Sequence, residues 1–290
     1  MDEWRIPLGV WADHFIEWVT ETFEGFFEWL SEVMTAGYTQ LTALLNWPPA
    51  IVMILILGVL GFLARGIAFG IAGTLALFVI QLLAQWSNAM ATLSLVIVSV
   101  IVATAIGIPI GIAASRSRIV SNLVRPVLDF MQTLPPLVYL IPAVIVFSVG
   151  VVPGIIATIV FAMPPAVRLT ELGIRQVDPE VVEAGHAFGS TPGKILAQIQ
   201  IPLARPTIMA GINQVIMLAL SMVVLAGFVG GPGLGQQVLS AISQLEVGLG
   251  VEAGLAVVIL AIYLDRVTAA LGTQTGASRL RNVRRRALKP

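Results

Sequence analysis

Side chains able to do chemistry are scarce in this chain, and one organised run of them lies between Asp178 and Pro206. Within that run, Gly189-Ser190-Thr191-Pro192-Gly193-Lys194-Ile195 resembles a phosphate-binding loop at first sight. Such a loop needs four residues between its glycines and Ser or Thr after the lysine, so that amides cradle phosphates and the hydroxyl holds magnesium. Here three residues intervene and Ile195 follows Lys194, so the segment is no nucleotide site, and the chain has no other candidate. His14 and His186 stand too far apart to suggest a metal site, and no catalytic residue is assigned. The absence of cysteine excludes a thiolate metal site, a cysteine nucleophile and a disulfide framework. Asn213, Gln214 and Ser221 are polar groups within an otherwise apolar run. Asn213, Ser221, Met222 and Val223 are the candidates for lining or gating a path, with hydrogen bonding between helices as the alternative role for the polar ones.

The elements that carry these groups follow from composition. Of 290 residues, 57% are hydrophobic and 11% charged, and the mean hydropathy is +0.94. Soluble domains carry about 25% charged residues, so a water-exposed surface cannot be built from this inventory. Apolar runs at 48–64, 66–85, 89–114, 135–151, 153–170, 207–229 and 250–265 approach the roughly 20 residues a membrane-crossing helix needs. The predicted fold is therefore an all-α, polytopic bundle of about seven spans. The runs at 135–151 and 153–170 hold Pro135, Pro136, Pro142, Pro153, Pro164 and Pro165, and are expected to be kinked or irregular. With the N-terminus outside, fifteen of the sixteen Lys and Arg residues fall on inner loops and the inner C-terminal end, leaving Arg5 outside. That asymmetry satisfies the positive-inside rule and gives an N-out, C-in topology.

Four regions follow: an amphipathic extension 1–47, two accessory spans in 48–88, a core domain 89–271 with an inner loop 171–206, and a basic tail 272–290. In the extension, Asp13, Glu17, Glu21, Glu24, Glu28 and Glu32 share one helical stripe, with Trp11, Phe15, Trp18, Phe26 and Trp29 over much of the rest. A helix lying at the outer membrane surface and a helix packed on the spans are both compatible with this pattern. The acidic start lacks the basic region of a cleaved signal peptide, so the first apolar span is expected to act as an uncleaved signal. The tail, from Arg279 to Lys289, is a basic cluster suited to an anionic inner leaflet, making membrane lipids a partner.

The inner loop is organised. Asp178-Pro179 is a helix start, with a capping side chain followed by proline at the first helical position. Glu180 and Glu183 complement the helix dipole, Gly189 stops the helix, and Thr191-Pro192 starts another. The small residues Ala184 and Gly185 permit close approach, and Phe188 at the turn reads either as a docking knob or as an anchor onto the same chain. The spans carry almost no charge: Glu252 and Asp265 lie near span ends, and 66–114 and 134–167 have none. Ion-driven transporters need ionisable groups in the membrane, so uphill transport would require an external source of energy. A passive, osmotically gated channel shares these apolar, neutral spans.

At this point the sequence resembles the permeases of binding-protein-dependent ABC importers. Their signature is Glu-Ala-Ala, three residues, Gly, nine residues, then Ile-x-Leu-Pro; here the spacing is met by Glu183-Ala184-Gly185, Gly189 and Ile199-Gln200-Ile201-Pro202. Gly185 and Ile201 are the two departures. Residues 90–270 further resemble the glycine betaine/proline betaine permeases, through Arg125-Pro126, Asp129-Phe130-Met131-Gln132-Thr133, Leu137 to Pro142, Met163 to Thr170, Pro206 to Gly211 and Leu218 to Val224. The resemblance implies a type I importer transmembrane domain in a prokaryotic cytoplasmic (inner) membrane. It implies a homodimer of the permease, two ATP-binding subunits that hold ATP and magnesium, and an extracytoplasmic substrate-binding protein. The chain itself would bind no cofactor, would not be an enzyme, and would have no nucleic acid partner. The implied cargo is glycine betaine or a related quaternary-ammonium osmoprotectant; choline, carnitine or an amino acid are alternatives. By the same resemblance Glu183, Ala184, Gly185, Phe188, Gly189, Ile199 and Pro202 would couple to the ATPase, with Gly189 allowing the turn and Pro202 redirecting the chain into the membrane.

Overall fold

A computed structural model describes residues 7–273, and the basic tail from Arg279 to Lys289 lies outside them. The described residues form helices without a strand. Four helical segments are long and apolar enough to cross a bilayer: Trp86–Arg116, Val151–Arg175, Pro192–Val229 and Val247–Ala270. Two bent pairs, Glu24–Asn46 with Ala50–Arg65 and Arg118–Thr133 with Pro136–Phe147, turn by 100° and 108° and raise the count to six if each is one span. The seven spans read from hydropathy are therefore approximate.

The N-terminal pair α1 (Leu8–Thr22) and α2 (Glu24–Asn46) divides the two readings of the extension. Helix α1 buries no side chain, and Trp11, Phe15 and Trp18 stay more than half exposed. Helix α2 buries Met34 and Tyr38 in a core shared with Leu95, Val96, Val152 and Ile155. Helices α3 (Ala50–Arg65) and α4 (Ile67–Leu82) form a hairpin turned by Gly66 at φ +94°. Each has 16 residues, about 24 Å at 1.5 Å per residue, short of the roughly 30 Å hydrocarbon core. The hairpin is held to the last helix by the Tyr263 hydroxyl, which donates to the Leu57 carbonyl at 2.6 Å.

The centre of the fold is α9 (Pro164–Arg175), continuing from α8 (Val151–Ala162) and clasped between α5 (Trp86–Arg116) and α12 (Ile201–Ala226). On α5, Gly107 and Gly111 stand one turn apart and face Ala166, Val167 and Thr170 of α9. Apolar association has no water to escape within lipid, so small residues that let backbones approach closely supply the packing instead. Helix α6 (Arg118–Thr133), read in the sequence as loop, is strongly amphipathic. It turns Ser121, Leu128 and Met131 inward and leaves Ile119, Leu123, Val127 and Phe130 exposed. The short α7 (Leu140–Phe147) follows after a single turn at Pro136–Tyr139. Two small helices, α10 (Pro179–Ala187) and α11 (Pro192–Ile195), precede α12, and α13 (Leu234–Gln244) and α14 (Val247–Thr273) close the chain. The glycine-rich turn before α13 is tied to α5, with the Leu234 amide donating to Thr92 Oγ1 at 2.8 Å.

Candidate functional site

The inner loop is shorter and stiffer than 171–206, because helices α9 and α11 claim both its ends. Asp178 caps α10 as its type and position require: Oδ1 accepts from the Glu180 amide at 2.9 Å, with Pro179 next in line. At the other end Gly189 takes φ +75°, the left-handed conformation that a Cβ disfavours. The Ser190 amide then reaches the Gly185 carbonyl at 3.1 Å and the Gly189 amide reaches the His186 carbonyl at 2.9 Å. This pair of bonds is the glycine-dependent helix stop that satisfies the last carbonyls.

One side of the loop is anchored and the other is presented. Ile174, Val177 and Ala204 form a buried cluster against which Ile112, Val182, Leu196 and Ile208 pack. Ile195 is 2% exposed. Gly185 is buried because a Cβ there would come within 2.9 Å of Ile199 Cδ1 and 3.3 Å of Ile195 Cγ1. Those isoleucine branches occupy the space that alanine would take, which accounts for the glycine at the third position of the triplet. Arg116 Nη1 donates to the Pro192 carbonyl at 3.2 Å and ties the end of α5 to the same unit. Glu183, Ala184, Gly189 and Pro202 face outward. Phe188 is 89% exposed at the tip. Neighbouring aliphatic side chains anchor the loop, and the phenyl ring takes no part in that anchoring.

Pro202 does not redirect the chain. The turn is made at Gly189–Thr191, and from Pro192 one helical segment of 38 residues runs to Val229. A wider π turn at Leu196–Gln200 lies directly before Pro202, whose nitrogen has no hydrogen to donate, and shifts the backbone bonding around that gap.

The four path candidates separate. Met222 and Val223 are 0% and 2% exposed, packed within the chain rather than on an open face. Asn213 bridges two helices: Nδ2 donates to Asp265 Oδ1 at 3.1 Å, and Oδ1 accepts from Thr268 Oγ1 at 2.8 Å. Ser221 is exposed, its hydroxyl turned back to the Met217 carbonyl at 3.1 Å. It belongs to an exposed stripe of α12 with Ala210, Gln214 and Met217, spaced along one helical face. Replacing Asn213 with leucine removes the bridge between α12 and α14, leaving Asp265 to Arg266 and Thr268 to the Leu264 carbonyl. The expected result is a destabilisation of about 1–2 kcal/mol, read as a lower unfolding midpoint of the purified protein in detergent.

A charged cluster escaped sequence reasoning. Glu171 is 6% exposed; its Oε1 accepts from Ser121 Oγ at 2.8 Å and Arg125 Nη2 at 3.1 Å, and it is ion-paired with Arg175 Nε at 2.9 Å. Arg175 also donates to the Ala114 carbonyl at 2.8 Å. Nearby, Arg168 pairs with Asp129, and the groups line a cleft of about 300 Å³. Ser121 and Glu171 lie fifty residues apart; only the alternation of arginines with acidic residues at 125, 129, 168, 171 and 175 could have pointed to them. Among the described residues no group of three or more His, Asp or Glu gathers as a metal site would require.

Comparison with known proteins fits this architecture. The chain is similar to the glycine betaine transport system permease protein OpuAB of Bacillus subtilis, at 49% identity over 91% of this chain and 94% of that protein. It is similar to the glycine betaine/carnitine transport permease protein GbuB of Listeria monocytogenes, at 45% identity over 91% of this chain and 95% of that one. With the glycine betaine/proline betaine transport system permease protein ProW of Escherichia coli it shares 43% identity over 92% of this chain and 75% of that one. A chain of the MetNI methionine ABC transporter, in an inward-facing conformation, superposes with a TM-score of 0.53 at 23% identity, covering 63% of this chain and 93% of that one. The shared fold is that of a type I ABC importer transmembrane domain. Residues 103–274 match the model of binding-protein-dependent transport system inner membrane components, and the chain belongs to that family as a multi-pass transport subunit of the inner membrane.

Proposed function

We propose that this chain is the permease of an ATP-driven importer for glycine betaine or a closely related quaternary-ammonium osmoprotectant. In this reading two copies pair around a translocation path, two ATPase subunits dock beneath them, and a binding protein delivers cargo from outside. One observation carries the ATP-driven part: an 89% exposed phenylalanine at the tip of a helix whose other side is clamped to the membrane domain. A large aromatic offered to water on a stiff mount suits the pocket of a partner. A channel has no use for such a mount. The cargo follows the relatives, whose names specify glycine betaine, carnitine and proline betaine.

The exposed stripe Ala210, Gln214, Met217 and Ser221 of α12, with Phe228 just beyond its end, is the face we assign to the path and to the second copy. It is mostly apolar, with Gln214 and Ser221 as uncharged polar groups, which suits a zwitterion with no net charge to neutralise. ATP acts through its different affinity for two states of the ATPases, and a rigid loop passes that difference to the membrane.

The test is uptake of radiolabelled glycine betaine into proteoliposomes holding the permease, its ATPase and the binding protein. We expect uptake that requires ATP and binding protein, with choline, carnitine and proline competing according to the receptor's preference. Uptake in the absence of ATPase would replace this reading with the channel.

A further inference from the structure

We infer that Glu171 is a positioning residue that makes α10 displace α5, α6 and α9 together. The inference rests on the importer reading above and goes beyond it by naming where the loop's motion is divided among the helices. Helix α9 ends at Arg175, three residues before Asp178 caps α10. Movement of α10 therefore reaches the last turn of α9 along the chain, beside the α11–α12 run on which Gly185 packs. Glu171 lies one turn back from that end, and its single oxygen Oε1 holds Ser121 and Arg125 of α6 together with Arg175. Arg175 extends the connection to α5 through the Ala114 carbonyl.

Bonds between charged groups are shorter and stronger than neutral ones. Glu171 is 6% exposed, and a buried carboxylate that loses its partners is strongly disfavoured. The inner ends of three helices consequently move as one body or the cluster comes apart as a whole. Leu128 and Met131 pack the far half of α6 on Val167 of α9, while Ile119 and Leu123 of its first half stay exposed, so apolar packing does not fix the end nearest Glu171. The attachment there is polar, and a polar attachment is switchable by a single atom change.

The experiment measures glycine betaine imported per ATP hydrolysed, in proteoliposomes containing the assembled permease, ATPase and binding protein. In Glu171→Gln the ATPase should still co-purify, while the transport ratio falls about three- to thirtyfold, the span over which single changes alter such couplings. A role in stability alone would reduce the amount of assembled complex and leave the ratio as in wild type, and that result overturns the inference. Should Glu171→Gln not assemble, Ser121→Ala removes one of the three partners without stranding a charge. A drop of about twofold or more in its ratio supports the inference, and an unchanged ratio rejects it. A wild-type permease that transports without ATPase defeats the importer reading itself; an unchanged ratio in a working importer rejects only the role of Glu171.

Discussion

Gly111→Leu is expected to abolish recovery of folded, monodisperse protein and all uptake. A Cβ at residue 111 would sit 2.6 Å from the Val167 carbonyl oxygen and 2.7 Å from Thr170 Cβ. The first of these is backbone of α9 and cannot rotate aside. Even a single added methylene in a packed interior costs about 1–3 kcal/mol, and leucine adds four carbons where none fits. The helices must separate, which removes the close packing that lipid-embedded helices rely on. Gly111→Ala should give an intermediate loss, read as a lowered unfolding midpoint. Gly25→Leu, at a position where a Cβ meets nothing within 4 Å, should behave as wild type. A normal elution profile for Gly111→Leu would mean that α5 and α9 do not cross where described.

Phe188→Ala is expected to release the ATPase partner while leaving the permease intact. The ring is 89% exposed, and surface substitutions usually change stability by less than about 0.5 kcal/mol. Aromatic anchors at interfaces carry about 2–4 kcal/mol when truncated, so docking at each loop should weaken by about thirty- to several-hundredfold. In the proposed homodimer both docking sites lose their anchor, and the joint loss is larger than either alone. Co-purification with tagged permease, beside the unfolding midpoint of the variant, separates the two effects. Retention of the ATPase at wild-type levels would show that the ring faces something else.

The parts of this fold legible in the sequence are those fixed by neighbours along the chain. Asp178 followed by Pro179, and glycine at 189, are local signals, and the helix they bound appears between them. Pro202 misled for the opposite reason. A proline is tolerated in the first turn of a helix or after a wider turn, and the geometry of Leu196–Gln200 cannot be read from composition. Helix α6 was hidden by Pro126 within it and by its charges, because a segment that turns arginine and serine toward a buried glutamate inverts the pattern expected of a globular helix. Met222 and Val223 show the limit of depth alone. Both lie beside Ser221 in sequence, yet a helix turns about 100° per residue, so neighbours in sequence face different surroundings. The bridge from Asn213 to Asp265 joins residues fifty-two apart and required the structure.

The unbroken helical run from Pro192 to Val229 has 38 residues, about 57 Å at 1.5 Å per residue against a hydrocarbon thickness of about 30 Å. It is thus a lever whose Pro192 end, next to the proposed docking loop, reaches beyond the lipid. Rocking it by ten degrees about its own midpoint would swing either end through an arc of about 5 Å, close to one helical pitch. A displacement of that size is enough to open one mouth while narrowing the other.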